Sequence, residues 1–456
     1  MYSHAVIRTC SLCLLLACES VFAGGLVTSS SPRAIGRAGT STVGDDGGGA
    51  LVVNPAAIAR RDGTRGQLGL VFVDDEIAWQ SRTEGAPVVH DQAPSSMAPY
   101  AAAFGTVSGW TIGLGAMTQT VSERALRRPT DIADPANIDV AFDFRYAGIA
   151  GGVRRDTVTA GLARRIGDSM AFGVAFGASR VSVIEIRRLW AGFSGRDDIG
   201  SGVNDLEIGF EGSDRFVPSA VAGLLFIAEE SPLELGASVS WTDTAKIGAD
   251  VVAVGTRPMG PSASPDRARA SLDYQYPLIV RAGARYAGSR FVGELGGEVA
   301  VARRSAEDTQ WNIRGMQVFD GPSGASAALA SVPSRISLRS HGAIRGAVDV
   351  ELIAGFLWAT GGYAHVVGSV TNTKQSPTFG DLGGETVGLG LEGRAGGFTF
   401  TLGWSRTWTR ARAVSETALA LDNPFASGDR AVPAGVYDGS IDQIGVLIDA
   451  ELDPTP

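Results

Sequence analysis

Lysine is almost missing from this 456-residue chain: Lys246 and Lys374 stand alone, and every other basic side chain is arginine. With 39 basic against 48 acidic residues the net charge is −9, so the electrostatic footprint of a nucleic-acid binder is absent. Charged residues are 19% of the chain, below the roughly one quarter of an ordinary globular domain, and aromatics only 7%. Cysteine occurs three times, at Cys10, Cys13 and Cys18. All three precede Val21-Phe22-Ala23, a small-residue cleavage site closing an export signal whose basic element is Arg8 and whose apolar core is 12–17. Cleavage after Ala23 leaves no thiol, and therefore no disulfide, no thiol catalysis and no cysteine metal site. Leu15-Leu16-Ala17-Cys18 offers the alternative of lipoprotein processing at Cys18. Long apolar runs are also lacking: beyond the signal no stretch reaches the roughly 18 consecutive apolar residues of a membrane helix. An exported chain of this kind can still cross a membrane as a closed β-barrel.

Glycine is abundant, at 61 residues, and the apolar residues recur with period two. Leu233, Leu235, Ala237, Val239 and Trp241 alternate with Glu234, Gly236, Ser238 and Ser240. The same alternation runs through 278–286, 291–301, 387–392, 398–405 and 443–452, which argues for strands with two different faces. Tight turns at 167–168, 229–232, 287–290 and 395–397 alternate with long polar segments at 123–145, 186–214, 254–270, 304–334 and 409–436. Short turns on one side and long loops on the other distinguish a membrane barrel from a soluble sandwich. The reading gives fourteen strands: 66–81, 98–108, 110–123, 146–165, 169–186, 215–228, 233–252, 270–286, 290–303, 335–349, 352–369, 386–395, 398–408 and 437–452. The fold class is thus all-β, an antiparallel transmembrane β-barrel with apolar side chains facing lipid. Trp241, Trp404 and Trp408 fall where a loop-side aromatic girdle belongs.

A barrel of this width cannot fill its lumen with strand side chains alone. The glycine-rich stretch 45–59, DDGGGALVVNPAAIA, lies within a segment of the right length to fill it. The expected division is a signal over 1–23, an N-terminal plug or hatch over 24–65, and the barrel over 66–452. Its glycines make 45–59 a poor helix former, and its apolar tip at Leu51-Val52-Val53 needs cover.

Nucleotide and catalytic motifs find no support. Gly388-x-Gly390-x-x-Gly393 matches the dinucleotide fingerprint but leads into an alternating strand instead of a helix. The glycines at 44–49 precede no Gly-Lys-Ser or Gly-Lys-Thr, and His90, His341 and His365 lack metal-ligand spacing. Arg281 and Arg285 share the lumen face of one strand, and Glu294 and Glu298 that of the next. Either they form an ion-pair ladder, or an arginine is left to grip a substrate carboxylate. Leu189, Trp190 and Phe193 are apolar side chains in a polar loop and are candidates for surface capture of greasy ligands.

The hatch block Arg33-Ala34-Ile35-Gly36-Arg37-Ala38-Gly39, Asp45-Asp46 and Asn54-Pro55-Ala56 resembles the N-terminal hatch of the FadL-like outer-membrane transporters of long-chain fatty acids and aromatic hydrocarbons. Tyr276-Pro277-Leu278-Ile279-Val280-Arg281-Ala282-Gly283, Ser376-Pro377-Thr378-Phe379 and Gly435-Val436-Tyr437-Asp438-Gly439-Ser440 are similar to it too. The resemblance implies passive uptake of a hydrophobic molecule with lateral release into the bilayer at a kink in the third strand. It places Asn54, Pro55 and Ala56 beside that kink, and Gly113 and Gly115 are the glycines that could allow it. It implies a monomer in the outer membrane of a Gram-negative bacterium. The expected partners are a hydrophobic small molecule, membrane lipid and the barrel assembly machinery, with no cofactor, no metal, no nucleic acid and no enzymatic activity. One departure is the C-terminus, where Leu452 stands in place of the usual closing aromatic residue. A water-filled porin, a structural or assembly barrel and a barrel enzyme are the competing readings.

Overall fold

The computed structural model describes residues 30–127, 141–191, 202, 204–228, 231–256, 262–265, 267–306, 308–319, 325–414 and 435–452. The export signal with its cysteines, and Phe193, lie outside the described residues. Fourteen antiparallel strands close into a ring. They are β1 (Arg65–Ser81), β2 (Ser96–Val107), β3 (Trp110–Ala125), β4 (Ala150–Ile166), β5 (Met170–Trp190), β6 (Asp205–Ile227), β7 (Leu233–Thr242) and β8 (Leu278–Ala287). The ring continues with β9 (Phe291–Val301), β10 (His341–Ile353), β11 (Leu357–Val367), β12 (Gly383–Ala395), β13 (Phe398–Thr409) and β14 (Gly435–Glu451). β14 pairs back onto β1 from Arg65↔Glu451 to Ser81↔Gly435, so no edge is left open there. The connections at one end are tight. Between β12 and β13 both turn residues, Gly396 and Gly397, have positive φ (57° and 81°), the conformation a two-residue hairpin needs.

The outward face is apolar from the turn end to a line of charges. On β6 it runs Phe226, Leu224, Ala222, Ala220, Pro218 and Phe216 up to the register shift between Val217 and Asp214. On β4 it runs Leu162, Ala160 and Val158 before Asp156, and on β14 Ile448, Val446 and Ile444 before Asp442. Such a band is what hydrocarbon requires of a barrel wall. Trp241 and Trp408 stand exposed near its loop-side edge.

Past that edge, the long connections are more ordered than a loop reading expects. The loop-side half of β6 pairs with Ala245–Gly255, which pairs with Arg267–Tyr274, then Gln310–Arg314 and Ser331–Pro333. This sheet has its own core, with Phe210 stacked on Trp311 at 4.7 Å. Leu189 and Trp190, expected in a polar loop, are buried residues at the end of β5, and Leu189 belongs to this core. They give structure to the loop side and do not line the lumen.

The N-terminal segment 30–64 packs against the inward faces of the strands. It forms two single turns of helix, α1 (Pro32–Gly36) and α2 (Ala50–Val53), and a 3₁₀ stretch Pro55–Arg60. The glycine-rich stretch thus does contain a helical turn. Four residues cannot hold one alone, and burial of Ala50, Leu51 and Val53 supplies the stability.

Candidate functional site

Inward glycines explain how the segment fits. Backbone without a Cβ can approach another chain closely. A Cβ on Gly390 would lie 3.4 Å from the Gly36 Cα, and one on Gly362 2.2 Å from the Arg37 carbonyl carbon. Gly388 and Gly390, the glycines of the apparent dinucleotide fingerprint, are β12 residues under α1. Opposite, Asn54-Pro55-Ala56 rests on Gly173 of β5 and Gly223 of β6. Asn54 is fully buried; its Nδ2 donates to the Thr42 (2.9 Å) and Leu224 (3.2 Å) carbonyls, and its Oδ1 accepts from the Ala56 amide. A valine at Gly223 would drive a side chain into Asn54. We expect Gly223→Val to unseat the Asn-Pro-Ala turn, exposing 54–56 to protease in detergent-solubilised protein that keeps its strand content. Overpacking of this kind costs about 1–3 kcal/mol.

Charge fixes the same segment. Arg37 is buried and donates to Glu294 (2.6 Å) and to Asp349; Glu294 also accepts the Val43 (2.8 Å) and Gly44 (3.0 Å) amides. Arg60 grips Glu234 through two hydrogen bonds of 2.8 and 2.7 Å. Burial pushes the Asp46 carboxyl up, but the guanidinium groups of Arg65, Arg33 and Arg61 outweigh it and hold the group at about 2.

The third strand is interrupted, but not at the expected glycines. Pairing of β3 with β4 shifts register between Thr118 and Thr120, leaving Gln119 as a bulge. Gly113 and Gly115 lie in the regular part of β3 and, with Gly161 of β4, make room for Leu51 of α2. The Asn-Pro-Ala turn is correspondingly held at β5 and β6, away from the bulge. Pairing of β3 with β2 ends at Tyr100↔Met117 and resumes only where the Gln92 amide meets the Ala125 carbonyl and Asp91 bridges Leu126. Between those points no backbone pairing joins 93–99 to 118–124, which leaves a window in the ladder of the wall. Above the bulge β3 runs inside the wall line. Val121, in register with the outward Arg154, is buried in a cluster with the lumen-facing Val71, Val73 and Ala98.

A cavity of about 320 Å³ lies between the N-terminal segment and the loop side. Leu51, Val52, Tyr274, Tyr276 and Phe379 contribute its apolar lining, and Met117–Thr120 place the window edge on it. Phe379 belongs to the inward-folded segment 369–382, in which Ser376 and Thr378 are fully buried.

The expected arginine–glutamate ladder forms only in part. Arg281 pairs with Glu298 (2.6 Å) and donates to Ser240 (2.8 Å). Arg285 lies opposite Glu294 but pairs with Glu234 (2.6 Å), because Glu294 is taken by the N-terminal segment. Both arginines are thus compensated, and Arg281 alone lines the cavity. A third arginine, which sequence reasoning missed, is not compensated. Arg155 points inward from β4, is 8% exposed and lines the cavity. It donates to the Ser179 (3.0 Å) and Thr242 (3.2 Å) hydroxyls and sits 4.8 Å from the Tyr276 ring. Among the described residues no carboxylate pairs with it, and the buried Tyr276 hydroxyl has no partner.

No protein-family model matches the chain, and no curated protein matches it. Solved structures do. A FadL homologue from Pseudomonas aeruginosa superimposes with a TM-score of 0.71 at 13% identity, over 94% of this chain and 100% of the other. The toluene transporter TodX of P. putida gives 0.65 at 13%, over 93% and 99%. The toluene transporter TbuX of Ralstonia pickettii gives 0.61 at 13%, over 91% and 97%. The chain has the FadL fold. At these identities the shared fold carries no substrate with it, and the FadL-like barrel must be read from its own lumen.

Proposed function

We propose that this FadL-like barrel is an outer-membrane channel for hydrophobic molecules that bear a carboxylate, long-chain fatty acids above all, releasing them sideways into the bilayer. The observation that carries it is Arg155: a buried guanidinium with no carboxylate partner among the described residues, beside an unpartnered Tyr276 hydroxyl, in a cavity where Leu51, Val52, Tyr274 and Phe379 stand among polar side chains. A buried cation without a carboxylate is costly, and a ligand carboxylate in two-point contact supplies the missing partner. A pure hydrocarbon leaves the cost unmet. Lateral release is supported by the unpaired window beside the cavity, since a greasy molecule gains nothing from periplasmic water. The seating of 30–64 across the lumen favours a plugged barrel over a water-filled porin. TodX and TbuX, which share the fold, are toluene transporters, which favours transport over catalysis.

The test is binding of oleate and of methyl oleate, the same chain without its charge, to purified protein. Wild type is expected to prefer oleate, and Arg155→Gln to lower oleate affinity about tenfold or more while leaving methyl oleate unchanged. Equal binding of the two by wild type sinks the carboxylate reading. Labelled toluene entering cells faster than labelled oleate would put the hydrocarbon reading in its place.

A further inference from the structure

Arg154 and Arg155 are neighbours on opposite faces of β4, and only the inward one belongs to the cavity. Arg154 faces outward, 39% exposed, at the height where the apolar band of β4 gives way to Asp156. Its guanidinium reaches across the bulged strand to the far edge of the window. It donates to the Met97 carbonyl of β2 (3.1 Å), to Thr118 Oγ1 (3.1 Å) and to Asp156 (2.9 and 3.1 Å). Thr118 in turn donates to Asp156 (2.6 Å). One arginine thus spans all three strands at the opening, on the membrane side. Asp156 is the carboxylate that holds Arg154.

We infer that Arg154 is a second carboxylate site, the one that receives the substrate headgroup as it leaves the window. The inference rests on the lateral, carboxylate-selective reading above and adds the path of the charge. A fatty acid whose tail slides out between β2 and β3 enters hydrocarbon freely, but its carboxylate cannot cross the apolar band uncompensated. In a bilayer that carboxylate comes to rest at the interface, which is the height of Arg154. There the bifurcated contact of its Nε with Asp156 can be exchanged for one with the substrate, at little net change because both are exposed. Arg155 inside and Arg154 outside give the charge a partner before and after the wall, and lower the barrier between them.

The experiment measures transfer of oleate and methyl oleate from loaded protein into vesicles of neutral phosphatidylcholine, with binding measured in parallel. Arg154→Gln is expected to slow oleate transfer about tenfold, leave methyl oleate transfer unchanged and leave oleate affinity unchanged, with Arg154→Lys restoring most of the rate. Equal slowing of both ligands means that Arg154 only holds the window in shape, and equal acceleration means that it merely bars the opening; either overturns the inference. A lipid phosphate offers Arg154 the same chemistry. An effect that appears only when phosphatidylglycerol is added assigns the site to lipid and overturns it as well. If wild type binds oleate no better than methyl oleate, the underlying reading has failed; if it prefers oleate and Arg154→Gln is silent, the hand-over alone has failed.

Discussion

Deleting Gln119 is expected to abolish uptake while leaving the cavity able to bind. Gln119 is the single extra residue on β3, opposite the Asp156–Arg155 step of β4. Its removal joins Thr118 to Thr120 in regular register and leaves every side chain on its present face, because a bulge adds one residue without changing the alternation on either side. The straightened strand can then pair with β2 above Tyr100↔Met117. It gains several ladder hydrogen bonds worth roughly 1 kcal/mol each, offset by the contacts of Val121 with Ala98 and of Ser122 and Arg124 with Asp75. The melting temperature should therefore hold or rise, which separates the variant from a misfolded one. Uptake of labelled oleate should fall at least about tenfold, with the dissociation constant within about twofold of wild type. Full uptake by a stable deletion variant would mean that substrate leaves past the N-terminal segment into the periplasm, and the window would have no part in transport.

The sheet was legible in the sequence because each strand meets two media. Lipid outside and a polar or glycine-lined lumen inside impose a strict period of two, and the fourteen-strand reading follows from that alternation with its short turns together with the strand number that the family resemblance implies. Besides the tight turn between β10 and β11, read at 350–351 and found at 354–356, bounds went astray where the wall continues past the membrane. There both faces meet protein or water, so 186–214 and 304–334 read as loops although they contain parts of β5 and β6 and four further strands. The interruption of β3 was not legible. Thr118-Gln119-Thr120 carries no glycine or proline, and a bulge of ordinary residues leaves no compositional mark. Gly113 and Gly115 drew attention because glycine often marks a bulge, but what they accommodate is Leu51, a partner some sixty positions earlier in the chain. The site arginine was missed for a related reason. Period two separates Arg154 from Arg155, but that the inward one faces two hydroxyls and no carboxylate depends on Ser179 and Thr242, two strands chosen by the closure of the ring. Arg281 and Arg285 looked like the better pair because their opposing glutamates were in register, and the arrival of Arg37 at Glu294 was invisible from strand patterns alone.

Glu294 is where the N-terminal segment is most heavily committed to the wall, and Glu294→Ala is expected to turn a closed barrel into a conducting one. The side chain is wholly inaccessible and satisfies three donors of the segment: the Arg37 guanidinium and the Val43 and Gly44 amides. Its loss leaves Arg37 buried with Asp349 as its only carboxylate, and two amides without an acceptor. Breaking a buried ion pair from one side costs about 3–5 kcal/mol, more than a segment held by single helical turns can absorb locally. The ring itself is unaffected, since its closure depends on backbone ladders that Glu294 shares only through its own main chain with β8 and β10. Planar-bilayer recording should show ion conductance absent from wild type, and cells carrying the variant should become sensitive to a large hydrophilic antibiotic. Glu294→Gln, which keeps an acceptor for the amides and loses the charge, should fall between. Glu298→Gln supplies the contrast: Glu298 pairs with Arg281 and Arg345 on the wall and makes no hydrogen bond to the segment, so its substitution should leave the barrel closed. A silent Glu294→Ala would shift the retaining role to Asn54 and the glycine floor beneath it, and Gly223→Val would then be the variant that opens the lumen.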